Sequence, residues 1–125
     1  MVVDTSAILA LLFDEPVAMK VADVLNEHKN ALIMSTVNLA EVLIRLRDRL
    51  PEDHAELEQK LARCSIEYVP PSIRQAQIAA SARLRFPLNL GDCFAYALAF
   101  DRSLPLLALD QDFRRTDVSI VHLPA

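Results

Sequence analysis

A chain of 125 residues, 53% of them hydrophobic, holds material for one compact core and little room for a second, so residues 1–125 are expected to form a single domain. A net charge of −4 argues against nucleic-acid binding only if the charge is spread evenly, and four carboxylates gathered in one site would account for the whole excess. Ten of the 13 basic residues are Arg, the side chain best shaped for bidentate phosphate contacts.

No apolar run approaches the roughly 20 residues that span a bilayer. No basic segment precedes Ala7–Phe13, as a signal peptide would require. Cys64 and Cys93 are the only cysteines, and an isolated pair suits buried thiols better than a disulfide framework. The expectation is a cytoplasmic protein with no membrane segment.

In chain order, Met1-Val2-Val3 is a short buried strand stopped by Asp4. Thr5 or Ser6 then caps a helix through Leu12. Pro16 suits the first turn of a helix to about Glu27. Leu32-Ile33-Met34 is the second strand. From Ser35 and Thr36 a helix runs to Leu50, with Leu39, Leu43, Leu46 and Leu50 as one apolar stripe. Pro51 opens a more polar helix to about Arg63. Ile66 to Val69 is a third strand, stopped by Pro70-Pro71, and a helix follows from Ile73 to Arg85. Asn89-Leu90-Gly91-Asp92 opens a helix whose unbroken apolar run, Cys93 to Phe100, predicts burial on most sides. Leu104 to Leu109 and Val118 to Val121 are the fourth and fifth strands. Strands alternating with helices imply an α/β fold whose mainly parallel sheet is covered on both faces.

In such sheets, sites form beyond the carboxyl ends of the strands. Asp4 ends the first strand, and Asp110 and Asp112 follow the fourth. Asp92 opens the buried helix, and Glu41 lies in the helix after the second strand. Carboxylates that converge stay ionised together only beside a cation. Oxygen ligands without a His or Cys cluster select Mg²⁺ or Mn²⁺ over zinc. Such an ion can lower the pKa of a bound water for attack on a phosphodiester. Each acid also has an ordinary structural use. Asp4 can cap a helix, and Asp92 can form a capping box with Asn89. Glu41 follows Asn38 at capping-box spacing and stands four before Arg45, as in a surface ion pair. Asp110 and Asp112 can form a turn. The case rests on their joint placement.

These residues resemble the motifs of a known family. Met1-Val2-Val3-Asp4-Thr5-Ser6-Ala7 is similar to the opening of PIN domains, in particular of VapC toxins. Ser35 to Glu41 (STVNLAE) resembles their second motif, Asn89 to Ala97 (NLGDCFAYA) the third, and Leu106 to Phe113 (LLALDQDF) the fourth. The motifs stand in family order along nearly the whole chain. The resemblance implies a three-layer α/β/α PIN-like fold and a Mg²⁺- or Mn²⁺-dependent endoribonuclease that cleaves RNA to a 5′-phosphate and a 3′-hydroxyl. It further implies a VapB-like antitoxin that blocks the groove, and a homodimer. Asp4, Glu41 and Asp92 carry over as acidic ligands, with Thr5, Ser6 and Asn38 as orienting neighbours. The fourth acid is Asp110 or Asp112. Many relatives place Ser or Thr two residues before the fourth acid, whereas Ala108 precedes Asp110 here.

Two other hydrolytic or signalling classes lack their residues. A phosphatase of the haloacid dehalogenase type needs an acid where Ser6 stands, and a receiver domain needs an acidic pair and a late Lys. A catalytically inactive PIN-like module that binds RNA or protein is the remaining alternative. Arg45 and Arg49, beside Glu41, could hold RNA phosphates or meet an antitoxin.

Overall fold

The short apolar runs separated by helices close into a parallel sheet. In the computed structural model, which describes residues 1–125, the strands are β1 (Val2–Val3), β2 (Ile33–Ser35), β3 (Glu67–Val69) and β4 (Leu106–Leu107). All pairings are parallel in the order β3-β2-β1-β4. Val2 registers with Ile33 on one side and Leu106 on the other. Strand side chains alternate between faces, so each strand feeds two cores.

Val3, Met34 and Leu107 face one layer, formed by α1 (Thr5–Leu12), α2 (Ala18–Glu27), α3 (Thr36–Arg49) and α4 (His54–Ala62). Val2, Ile33 and Leu106 face the other, formed by α5 (Ile73–Arg85) and α6 (Leu90–Arg102). The result is a three-layer α/β/α fold. Helix α6 buries Cys93, Ala95, Tyr96, Ala97, Leu98 and Ala99, which explains its unbroken apolar run. Its alanines let it pack closely against Ala79 and Ala82 of α5.

Four expectations shift, each for a local reason. The fourth strand shrinks to Leu106–Leu107 because Pro105 has no N–H to pair and the Leu109 N–H turns to Ser6 Oγ. The fifth strand is reduced to one parallel bridge between Leu106 and Ile120, since a two-residue partner offers no longer ladder. Helices α2 and α4 begin at Ala18 and His54, with Pro16 and Pro51 left in the preceding turns. In α3 the inward face is Asn38, Val42 and Leu46, whereas Leu43 and Leu50 are only partly buried. The leucine stripe meets that face at Leu46 and diverges from it elsewhere, because one of the face's members is polar.

Candidate functional site

Asp4 leaves β1 in extended conformation and caps α1, the structural use open to it in the sequence, while Thr5 and Ser6, the other cap candidates, are the first residues of the helix. Its Oδ2 accepts the Ser6 N–H at 3.0 Å and the Ser6 hydroxyl at 2.7 Å. The same Ser6 Oγ accepts the Leu109 N–H at 2.9 Å, tying the exit of β4 to the exit of β1. Asp4 is only 2% exposed, and its Oδ1 is buried without a hydrogen-bond partner. Burial is the main force pushing this carboxyl from its ordinary 3.8 up to about 7. The Ser6 bonds oppose the rise, and negative charge on Asp92 and Glu41 adds to it.

Glu41 is held by its neighbours rather than by an ion pair. Ser35 caps α3 through the Val37 N–H, which places Asn38 inside the first turn and not at a cap. The buried Asn38 side chain donates from Nδ2 to Glu41 Oε1 and to the Gly91 carbonyl, each at 3.0 Å. Thr5 Oγ1 donates to the same Glu41 oxygen at 2.7 Å. No Glu41–Arg45 ion pair forms; Arg47 is the basic residue of this helix that pairs, with Glu58 of α4. Asn38 Oδ1, like Asp4 Oδ1, is buried and unpartnered.

Asp92 enters with the first turn of α6. It forms a reciprocal capping box with Asn89, so its structural use is real and coexists with its place in the site. Burial pushes its carboxyl up to about 6 against the pull of the Asn89 N–H, and Asp110, Glu41 and Asp112 add in that order. Asp110 caps a short 3-10 helix, Gln111–Arg115, by accepting the Asp112 N–H at 2.9 Å.

These elements enclose an open cleft of about 420 Å³ beyond the carboxyl ends of β1 and β4. Asp4, Glu41, Asp92 and Asp110 all line it, together with Thr5 and Ser6. Asp112 does not line it, but its N–H holds Asp110 and its charge bears on Asp92. Arg45 and Arg49 extend the lining along α3, one and two turns beyond Glu41. The Arg49 guanidinium lies 4.3 Å from the centre of the Phe13 ring. Phe13, Glu15, Asn89 and Gly91 were not picked out as site residues by sequence reasoning. For Gly91 a signal existed, since it is the only glycine in the chain.

The donor set fits a divalent cation of modest protein ligation. No three acidic, His or Cys side chains stand together as a ready-made cage. A cage is not needed by an ion that keeps several waters and takes one or two carboxylates. The unpartnered Asp4 Oδ1 and the raised Asp4 and Asp92 carboxyls are the features such a charge would relieve.

Comparison with known proteins gives one answer. The PIN domain family matches residues 1–119. Ribonuclease VapC30 of Mycobacterium tuberculosis is 37% identical over 132 aligned positions, covering 99% of this chain and all of that one. Among solved structures, Mycobacterium tuberculosis VapC20, a sarcin-ricin loop cleaving toxin, superposes with a TM-score of 0.82 at 16% identity over 98% of each chain. A toxin–antitoxin complex from Klebsiella pneumoniae gives 0.76 at 19% identity, over 96% of this chain and 95% of that one. With its three-layer α/β/α fold, its acid-lined cleft and a family match across nearly its whole length, this chain belongs to the PIN-domain family.

Proposed function

We propose that this protein is a VapC-type toxin, an endoribonuclease that hydrolyses RNA at the acidic cleft and is restrained by a VapB-like antitoxin. The observation that carries the reading is one cleft that gathers Asp4, Glu41, Asp92 and Asp110, with Glu15 also on its lining and two arginines along α3 from Glu41. The ribonuclease activity of a relative 37% identical over its full length supports it, as does the likeness to a toxin in complex with an antitoxin. A cytoplasmic location, where RNA is met, and a homodimer are the accompanying expectations.

Asp4, Glu41, Asp92 and Asp110 would hold a divalent cation, with Mg²⁺ or Mn²⁺ matching an all-oxygen donor set. When bound, that ion supplies charge neutralisation and a water activated for attack on the phosphodiester. The chain's own residues fix the geometry. Ser6 Oγ donates to Asp4 Oδ2 and leaves Oδ1 free. Thr5 and Asn38 both donate to Glu41 Oε1, which directs the remaining oxygen, Oε2, to other partners. Arg45 and Arg49 bind backbone phosphates of the RNA and offset the repulsion from the acids. Asp110 rather than Asp112 is the fourth acid, because it lines the cleft.

The test is cleavage of a labelled single-stranded RNA by purified protein with Mn²⁺, with EDTA, and with Asp4→Asn, followed by sequencing of the new RNA ends. The reading requires discrete cuts that EDTA and Asp4→Asn both abolish. Cuts that survive both overturn it. RNA retained uncut in the presence of Mn²⁺ would identify the non-catalytic binding module instead.

A further inference from the structure

Gly91 is the only glycine in the chain, yet it stands in the first turn of α6, where a glycine weakens a helix. No glycine here adopts a positive φ, so backbone freedom does not account for it. The space beside it does. A β-carbon built on Gly91 would fall on the Glu41 carboxylate, overlapping Cδ and both oxygens.

That carboxylate is tied down on one oxygen. Thr5 Oγ1 and Asn38 Nδ2 hold its Oε1 at 2.7 and 3.0 Å. Asn38 Nδ2 also donates to the Gly91 carbonyl at 3.0 Å, so one buried amide fastens both walls of the seat. Gly91 immediately precedes Asp92. The first turn of α6 therefore presents one acid of the cleft and receives another.

We propose that Gly91 is a positioning residue for the nuclease site: its missing side chain forms the seat that fixes the Glu41 carboxylate relative to Asp92. The proposal rests on the nuclease reading for its catalytic consequence, but its steric core stands without it. Glu41 is a flexible side chain, so an intruding methyl group can be relieved by swinging the carboxylate away. The fold survives that movement, while the bonds from Thr5 and Asn38 do not. The cost falls on geometry, where a displacement of about 1 Å is worth on the order of 100-fold in rate.

The experiment is a double-mutant cycle between positions 41 and 91 with two readouts. The first is thermal melting of the metal-free protein, which requires no activity. Gly91→Ala raises the melting temperature when made on Glu41→Ala, because alanine favours a helix and nothing is displaced. Made on the parent, it loses that gain, and the two shifts differ by several degrees. A protein that folds with Gly91→Ala only when Glu41 is also replaced supports the seat equally well. Equal shifts in both backgrounds, or failure to fold in both, overturn it.

The second readout is cleavage kinetics. Gly91→Ala lowers kcat at least about ten-fold with little change in KM, since RNA contacts through Arg45 and Arg49 are untouched. Glu41→Asp then costs less on Gly91→Ala than on the parent, because the carboxylate has already left its seat. Losses that simply multiply, or a parent-like kcat for Gly91→Ala, overturn the proposal. A parent that cleaves no RNA strikes the nuclease reading and leaves the melting cycle to decide the seat.

Discussion

The two ends of α6 treat acidic residues in opposite ways. At its C-terminal end Asp101 accepts Arg74 Nε at 2.7 Å and Gln75 Nε2 at 3.2 Å, and its carboxyl is held below the ordinary value, chiefly by Arg74. Nearby, Asp117 takes the Tyr96 hydroxyl at 2.5 Å and lies 3.7 Å from Arg85. At the N-terminal end Asp92 has no cationic partner, and burial pushes it up to about 6. A cavity lies at each end, and the larger, about 670 Å³ against about 420 Å³, is the one where charges are matched. Size is therefore the wrong guide to the working end. Charge left unmatched is costly in a fold, and it persists where something outside the chain is to supply the partner.

The largest test of that contrast is to neutralise one acid at each end. Asp4→Asn is expected to lower RNA cleavage at least about 100-fold, as the loss of a preorganised electrostatic group does, while circular dichroism stays unchanged. Asp101→Asn should leave cleavage at the parent level and produce only a small drop in melting temperature. Between the two late acids, Asp110→Asn should approach the Asp4→Asn loss and Asp112→Asn should remain near the parent. Equal losses for Asp110 and Asp112 would erase the distinction drawn from the cleft lining.

A pH series sharpens the same contrast. Asp4 and Asp92 have folded-state values above their ordinary 3.8, at about 7 and about 6. Between about pH 4 and about pH 7 the unfolded chain has released these protons while the folded chain still holds them, so stability falls as pH rises and levels off above the window. The metal-free protein should melt lower at about pH 8 than at about pH 5. Asp4→Asn should remove most of that slope, and added Mn²⁺ should flatten it by supplying the missing charge. A slope unchanged in Asp4→Asn would mean that Asp4 is not the group responsible.

The smallest effect concerns the arginines. Arg45→Glu with Arg49→Glu should raise KM for RNA about ten-fold and reduce the salt dependence of binding by roughly two phosphate contacts. Arg74→Glu, at the matched end, should alter neither. Filter binding across a salt series on the Asp4→Asn background reads this without cleavage.

How much of this was legible depended on how far each feature reaches along the chain. Asp4 after Val2-Val3 and Asp92 before an apolar run are local patterns, and both residues line the cleft. The layering followed from alternation of short apolar runs with helices. What holds the acids was not legible, because Ser6 reaches Leu109 across 103 residues and Asn38 reaches Gly91 across 53. The α3 leucine stripe matches the core face only in part, for a related reason. The inward face of that helix includes Asn38, fully buried for a polar contact that hydrophobic spacing does not register. Nor does any periodicity separate Asp110 from Asp112, which meet at the start of one 3-10 turn while Asp110 alone of the two lines the cleft.

The Ser6–Leu109 bond sets an order of events during synthesis. The first strand pairs directly with the last of the four, and the bond that joins their exits spans 103 residues. Contacts of such separation form late, after the entropy of a long loop has been met. A ribosome-bound chain carries Asp4 and Glu41 from early on, but it has no cleft until β4 has emerged and docked. For an enzyme that cuts RNA, the acids alone are not enough: the cleft that gathers them exists only once β4 has joined the sheet.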